Sequence, residues 1–394
     1  MDSLDPHPAR RPPFEWTAAL VQTALALGVA GLLAVMASNM LDGLARQGIS
    51  PTFDFLRQQA GFSISETWVE LPERSSYWQV LSAGLANTVW VSVWGIFLAT
   101  GMGVVVGMSA LSPHFLLSRL ARGYVELIRN VPLLVQLFFW YSVVFLNLPS
   151  ARQSLSFPGG VFVNNRGVFV PWPVVNENTA LWGLTAGAVT LGLLSAIWLS
   201  VKMVGHRHRP LMPGWGPPLA VGSGVGFITL MWFVLGLAPF GLSIPRLEGF
   251  NFTGGAGVSP EFAALLTGLS LYTSAFIGEV IRGGVLSVPA GQMEAALALG
   301  FGRLTAMRLV VMPQALRVII PPLANQYLNL VKNSSLAVAI AFPDLVSVGT
   351  TILNQSGQAV PMMVVIMGAY LALSLMVSAG LNLYNRRVRL PHAY

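Results

Sequence analysis

The sequence predicts an all-α polytopic membrane protein with about eight transmembrane helices. Three observations predict it: a shortage of charge, apolar runs of spanning length, and basic residues concentrated in alternate connections. Of 394 residues, 54% are hydrophobic and only 9% are charged, and the mean hydropathy is +0.66. Soluble domains carry about 25% charged residues. A chain this poor in charge cannot coat itself for water, so lipid is its solvent. It contains no Cys, which excludes disulfides, thiolate metal sites and cysteine nucleophiles.

A helix needs roughly 20 apolar residues to cross about 30 Å of hydrocarbon. Runs of that kind occupy 17–41, 86–108, 131–149, 179–201, 218–239, 262–281, 318–342 and 360–384. The first follows Arg10 and Arg11 and has small residues near Ala37, as a signal peptide does. Its length exceeds the roughly 7–15 apolar residues of such a segment, so an uncleaved span is expected. The sixth run ends at Glu279, and the seventh carries Pro321-Pro322, where a break in the backbone is expected.

Lys and Arg alternate between the connections. Fifteen of them fall on the side that holds both termini, against six on the other. Cytoplasmic connections retain basic residues, so both termini and the connection 282–317 are expected in the cytoplasm. The net charge of +7 is explained the same way and calls for no nucleic acid.

The absences narrow the function. The two lysines, Lys202 and Lys332, each follow a Val, so no Gly-Lys-Ser/Thr P-loop exists. Any ATP the chain depends on is hydrolysed elsewhere. A proton-coupled transporter needs intramembrane Asp, Glu or His relays, yet all five histidines lie outside the clear spans and Glu279 is the one acid well inside a span. A membrane-embedded enzyme needs convergent titratable groups, and none is visible. His206 and His208 sit among Lys202, Arg207 and Arg209 and read as a basic loop, not a metal site. No cofactor and no metal is called for.

Residues 291–317, GQMEAALALGFGRLTAMRLVVMPQALR, are too polar for a span and too rich in helix formers for a slack loop. Pro289 suits a first helical turn. Gly300-Phe301-Gly302 predicts a tight bend, and a second helix from Leu304 to about Met312 ends at a kink on Pro313. An amphipathic helix resting on headgroups has the same periodicity.

The spacing of Glu294, Ala295, Ala296, Gly300 and Pro313 resembles the EAA loop of ATP-binding-cassette (ABC) importer permeases, with Val310 and Met312 in place of the usual Ile and Leu. YVELIRNVPLLVQLFFWY (124–141), GEVIRGGVLSVPAGQ (278–292) and YLNLVKNSSL (327–336) look like the polar amino acid permease family. The extra first span and the 150–260 insertion resemble the long permease subunits of general L-amino acid importers. The resemblance implies a type I importer bundle in the bacterial inner membrane. It implies a non-catalytic subunit that pairs with a second, similar permease, with a cytoplasmic ABC ATPase dimer and with a periplasmic amino-acid-binding protein. The ATPase-coupling residues it implies are Glu294, Ala295, Ala296, Gly300 and Pro313.

The organisation expected is a tail, an extra span and an external segment over 1–85, then a first core part over 86–149. An insertion with two extra spans follows at 150–260, a second core part with the coupling loop at 261–387, and a tail at 388–394. Within the seventh run, Asn325, Asn329, Lys332 and Asn333 share one helix face. Intramembrane polar groups are costly and usually face a cavity or partner, so these four are the candidate lining of an amino acid's route. Polar residues also join helices, and Lys332 has the reach to snorkel. Glu279 and Arg282, at i and i+3, read as an ion pair.

Overall fold

The computed structural model describes residues 16–46, 52–69, 71–175, 240–249 and 251–388. In chain order, α1 (Trp16–Arg46) and α2 (Tyr77–Ala110) carry the first two spans. Next come α3 (Phe115–Asn130) and α4 (Leu133–Phe138), the latter continued by π-helical turns over Phe139–Phe145. Strands β1 (Leu155–Phe157), β2 (Val161–Asn164), β3 (Gly167–Val170) and β4 (Trp172–Val175) precede residues 176–239. After them stand β5 (Phe240–Ser243), β6 (Arg246–Glu248), β7 (Asn251–Thr253) and β8 (Ala256–Val258). The chain continues through α5 (Pro260–Leu286), α6 (Ala290–Ala298), α7 (Arg303–Ala306) and α8 (Met312–Asn333). It closes with α9 (Leu345–Ser356) and α10 (Ala359–Val388).

Among the described residues five helices are long and apolar enough to cross a membrane, or six when α3 and the α4 run count as one bent span. The runs at 179–201 and 218–239, with His206 and His208, lie outside the described residues. The helical membrane class therefore stands, and the strands are an addition to it. Elements of three or four residues are too short for period-two alternation to register. They form an antiparallel sheet in the order β1-β2-β3-β8 and two ribbons, β4-β5 and β6-β7. Phe162, Phe169 and Phe252 fill its small core, the last two with ring centroids 4.8 Å apart.

The chain divides into two compact units, Met1–Thr88 with Pro343–Ala379 and Val89–Phe342 with Gly380–Tyr394. In the first, Leu20–Met40 is exposed along its length, as an apolar helix in lipid can be. The segment after it turns once over Asp54–Arg57 and buries Phe55 and Leu56 against Tyr77, Val80, Leu345, Val348 and Ile352. The Asn87 amide donates to the carbonyls of Glu66 and Pro343 at 2.9 and 3.0 Å, and Leu345 N–H donates to Thr88 Oγ1 at 3.0 Å. These bonds supply partners to backbone groups that lipid could not satisfy.

In the second unit α2 and α5 meet through glycines. Gly103 and Gly107 stand four residues apart, and a Cβ on Gly107 would lie 2.7 Å from the Gly278 carbonyl oxygen. Small residues at this spacing let membrane helices approach to backbone contact. Ile277, Ile281, Val311, Ala315, Ile319 and Leu330 then pack α5, α8 and the turns before α8 into one core.

Two expected interruptions do not occur. Arg303–Ile340 is a single helical run, because π-helical turns at Met307–Val311 join α7 to α8, and the wider turn stands just ahead of Pro313, whose N–H is missing. Pro321 and Pro322 likewise lie inside α8. Their rings are exposed, and buried Ile319 and Leu330 hold the helix on either side of them. After Asn333 the run tightens without breaking: Ser334–Ile340 is a 3-10 helix that ends on Ala341 at φ 59°.

Candidate functional site

The EAA-like loop is built on a Schellman motif. Helix α6 ends at Ala298; Gly300 N–H donates to Leu297 O at 2.9 Å and Phe301 N–H to Ala296 O at 3.1 Å. These are the two bonds that close such a C-terminus, and they require a left-handed residue between them. Gly300 supplies it at φ +85°. Gly302 is different: at φ −67°, ψ 155° it precedes α7 in ordinary extended geometry. The bend thus rests on one glycine, not on two. The Gln314 side-chain amide donates to Gln292 Oε1 at 3.3 Å and to Val310 O at 3.0 Å, which links the loop to the head of α8.

Glu294 and Ala295 are exposed, whereas Ala296 is 3% exposed and packs inward. Pro313 is exposed, and Val310 and Met312 are partly buried. The loop also presents bare apolar side chains: Leu299 is 78% exposed, Leu304 84% and Phe301 41%. Large hydrophobes that the chain leaves uncovered mark a surface for a partner or for lipid. The available signal was leucine on both sides of Gly-Phe-Gly in a polar connection.

Further along the same run, α5 and α8 enclose a polar cavity of about 290 Å³ lined by Tyr272, Thr273, Phe276, Gln326, Asn329 and Asn333. The structure brings Asn329 and Asn333 together there and adds Gln326. Asn325 and Lys332 lie elsewhere on α8, both exposed. At 100° per residue, Gln326, Asn329 and Asn333 center roughly 80° around the helix from Asn325 and Lys332. Phe276 also carries the Arg129 guanidinium, 5.0 Å from its ring centroid. Glu279 and Arg282, on the next turns of α5, form a two-pronged ion pair with bonds of 2.6 and 3.0 Å. A larger groove along α2, about 840 Å³, is apolar apart from Thr100, whose hydroxyl is bonded to Ile96 O and Tyr327. It offers little to a hydrophilic solute.

A bundle of long apolar helices, a polar cavity inside it and a helical loop with bare leucines define a membrane permease that draws its energy from another subunit. Residues 214–390 match the family described as "Binding-protein-dependent transport system inner membrane component". The chain is 42% identical to the general L-amino acid transport system permease protein AapQ of Rhizobium johnstonii, over 90% of this chain and 88% of that one. It is 41% identical to the putative amino-acid ABC transporter permease protein YhdX of Escherichia coli, over 94% and 93%. To the glutamate/glutamine/aspartate/asparagine transport system permease protein BztB of Rhodobacter capsulatus it is 34% identical, over 93% and 92%.

The chain belongs to this family of ABC importer permeases. It is a multi-pass inner-membrane protein and a non-catalytic subunit that works with an ATPase and a binding protein. The ion-coupled alternative is set aside by that membership.

Proposed function

We propose that this chain passes L-amino acids across the inner membrane after a periplasmic binding protein delivers them, with both termini in the cytoplasm. A second permease, similar but not identical, completes the pore. The observation that carries the substrate class is likeness over 90% of the chain to a general L-amino acid permease. The cavity supports it. Amide and hydroxyl groups both donate and accept, so Gln326, Asn329, Asn333 and Thr273 serve a carboxylate and an ammonium alike, with no fixed charge among the lining residues. Asn325 and Lys332 are assigned to the route beyond this cavity. Residues 86–149 and 261–387 form the transporting core, and 1–85, 150–260 and 388–394 are additions to it.

Coupling follows from the continuity of the helix. ATP-driven closure of the ATPase dimer moves the loop that carries Glu294, Ala295, Ala296 and Gly300. Because Arg303–Ile340 is one run, with Pro313 inside it, displacement at Leu304 reaches Asn329 through a rod of about 38 Å, at 1.5 Å per residue. The test is uptake of an amino acid panel by proteoliposomes holding both permeases, the ATPase and the binding protein. Wild type should require ATP and binding protein, and Asn329→Ala with Asn333→Ala should lower uptake while ATPase assembly persists. Uptake driven by an ion gradient alone, or unchanged uptake in the double variant, would refute the reading.

A further inference from the structure

We propose that α3 lies along the membrane interface and that Arg119 and Arg122 hold anionic phospholipid headgroups there. Helix α3 has three faces. Ser118, Ala121 and Val125 are buried against the bundle. Leu116, Leu120 and Leu127 are 58%, 63% and 64% exposed and lie roughly 150° around the helix from the buried side, at 100° per residue. Arg119, Arg122, Glu126 and Arg129 share the third face, three cations to one acid. A helix packed on one side, oily on another and basic on the third suits the boundary between acyl chains and headgroups.

The tertiary structure supports that placement. The run Leu133–Phe145 departs from α3 at 102°, so when that run points across the membrane α3 points along it. Pro132 disfavors the helical conformation at Val131 and ends α3. The buried Gln136 amide then donates to the carbonyls of Ile128 and Val131, each at 2.9 Å, and pins the corner. Tyr124 fixes the rotation of α3, donating to Leu271 O at 2.9 Å and lying 2.7 Å from Ser274 Oγ.

The arginines differ in what they hold. Arg129 is spent on the Phe276 ring. Arg119 rests over Phe115 on its own helix, 4.8 Å from the centroid, and Arg122 reaches only Ser118, at 2.9 and 3.2 Å. Among the described residues neither Arg119 nor Arg122 has a carboxylate at ion-pairing distance. Guanidinium groups fit phosphate oxygens in a two-pronged manner, and anionic leaflets attract basic residues held at their surface.

The absence of Cys makes the test clean. The complete importer, with partner cysteines replaced, carries a spin label at Leu120→Cys in bilayers of phosphatidylcholine with phosphatidylglycerol. The label should relax with oxygen and not with a nickel chelate. Low access to both would mean that another subunit covers the face, and nickel access would mean water; either overturns the proposal. In a second measurement, spin-labelled phosphatidylglycerol should associate with the importer in preference to phosphatidylcholine. Arg119→Gln and Arg122→Gln should each weaken that preference, by about five-fold where a single site dominates. An unchanged preference in the double variant, with the complex intact, refutes the headgroup site.

Discussion

Replacing Gly300 by Val strains the coupling loop without crowding it. Gly300 sits at φ +85°, and a Cβ built there meets nothing within 4 Å. Within this chain a Cβ therefore meets no collision, and the cost falls on backbone conformation. A left-handed conformation costs an L-residue roughly 1–2 kcal/mol, and more for a β-branched one. A penalty of that size depletes the closed turn by a factor of about 5–30. The two Schellman bonds at 2.9 and 3.1 Å then open, and Leu299, Phe301 and Leu304 lose their common presentation. ATP-driven uptake in proteoliposomes should fall in the order Gly, Asn, Ala, Val, because Asn tolerates the left-handed region. Helix packing remote from the loop, followed by thermal unfolding in detergent, should change little. Wild-type uptake by Gly300→Val, or an Asn variant as poor as the Val one, would refute the reasoning.

Leu304→Ala should weaken binding of the ATPase subunit by about five-fold or more in a pull-down or titration, because truncating an anchor at the centre of an interface costs upwards of about 1 kcal/mol. Gly107→Val should lower the melting temperature of the purified permease by overpacking the α2–α5 contact, at a cost of about 1–3 kcal/mol; an unaltered melt would mean the helices separate freely there. Asp344 is fully buried, and burial pushes its carboxyl up to about 6, although it accepts from Ser347 N–H and from Tyr370 Oη. The folded state thus binds this proton more tightly than the unfolded chain does. Stability should fall as pH rises from about 4 to about 6, by up to about 3 kcal/mol, and stay lower above that. Asp344→Asn, which still caps α9, should flatten that segment of the profile in melts taken at pH 4.5 and 7.5.

Much of the fold was legible because lipid imposes simple rules. Apolar length reports spans, and the runs near 20–40, 86–108, 262–281 and 360–384 match helices with shifted ends. Gly300 was legible because one conformation demands glycine. Asp344 was not: an acid in a short connection looks exposed until α9 and Tyr370 close over it. The α3 corner was hidden as well, since three arginines make the segment read as a loop, while its helix is set by packing against α5.

By itself the sequence determined the solvent, four of the described spans and the dependence on an outside motor, since each follows from composition. Only the tertiary structure decided that Pro313 and Pro321-Pro322 leave the rod from Arg303 to Ile340 unbroken. It also decided that Gln326, Asn329 and Asn333, rather than all four polar residues of the stripe, share a cavity. The reason is common to both. A proline's missing bond and a side chain's direction acquire consequences only from the helix packed against them, and that neighbour is far away in sequence.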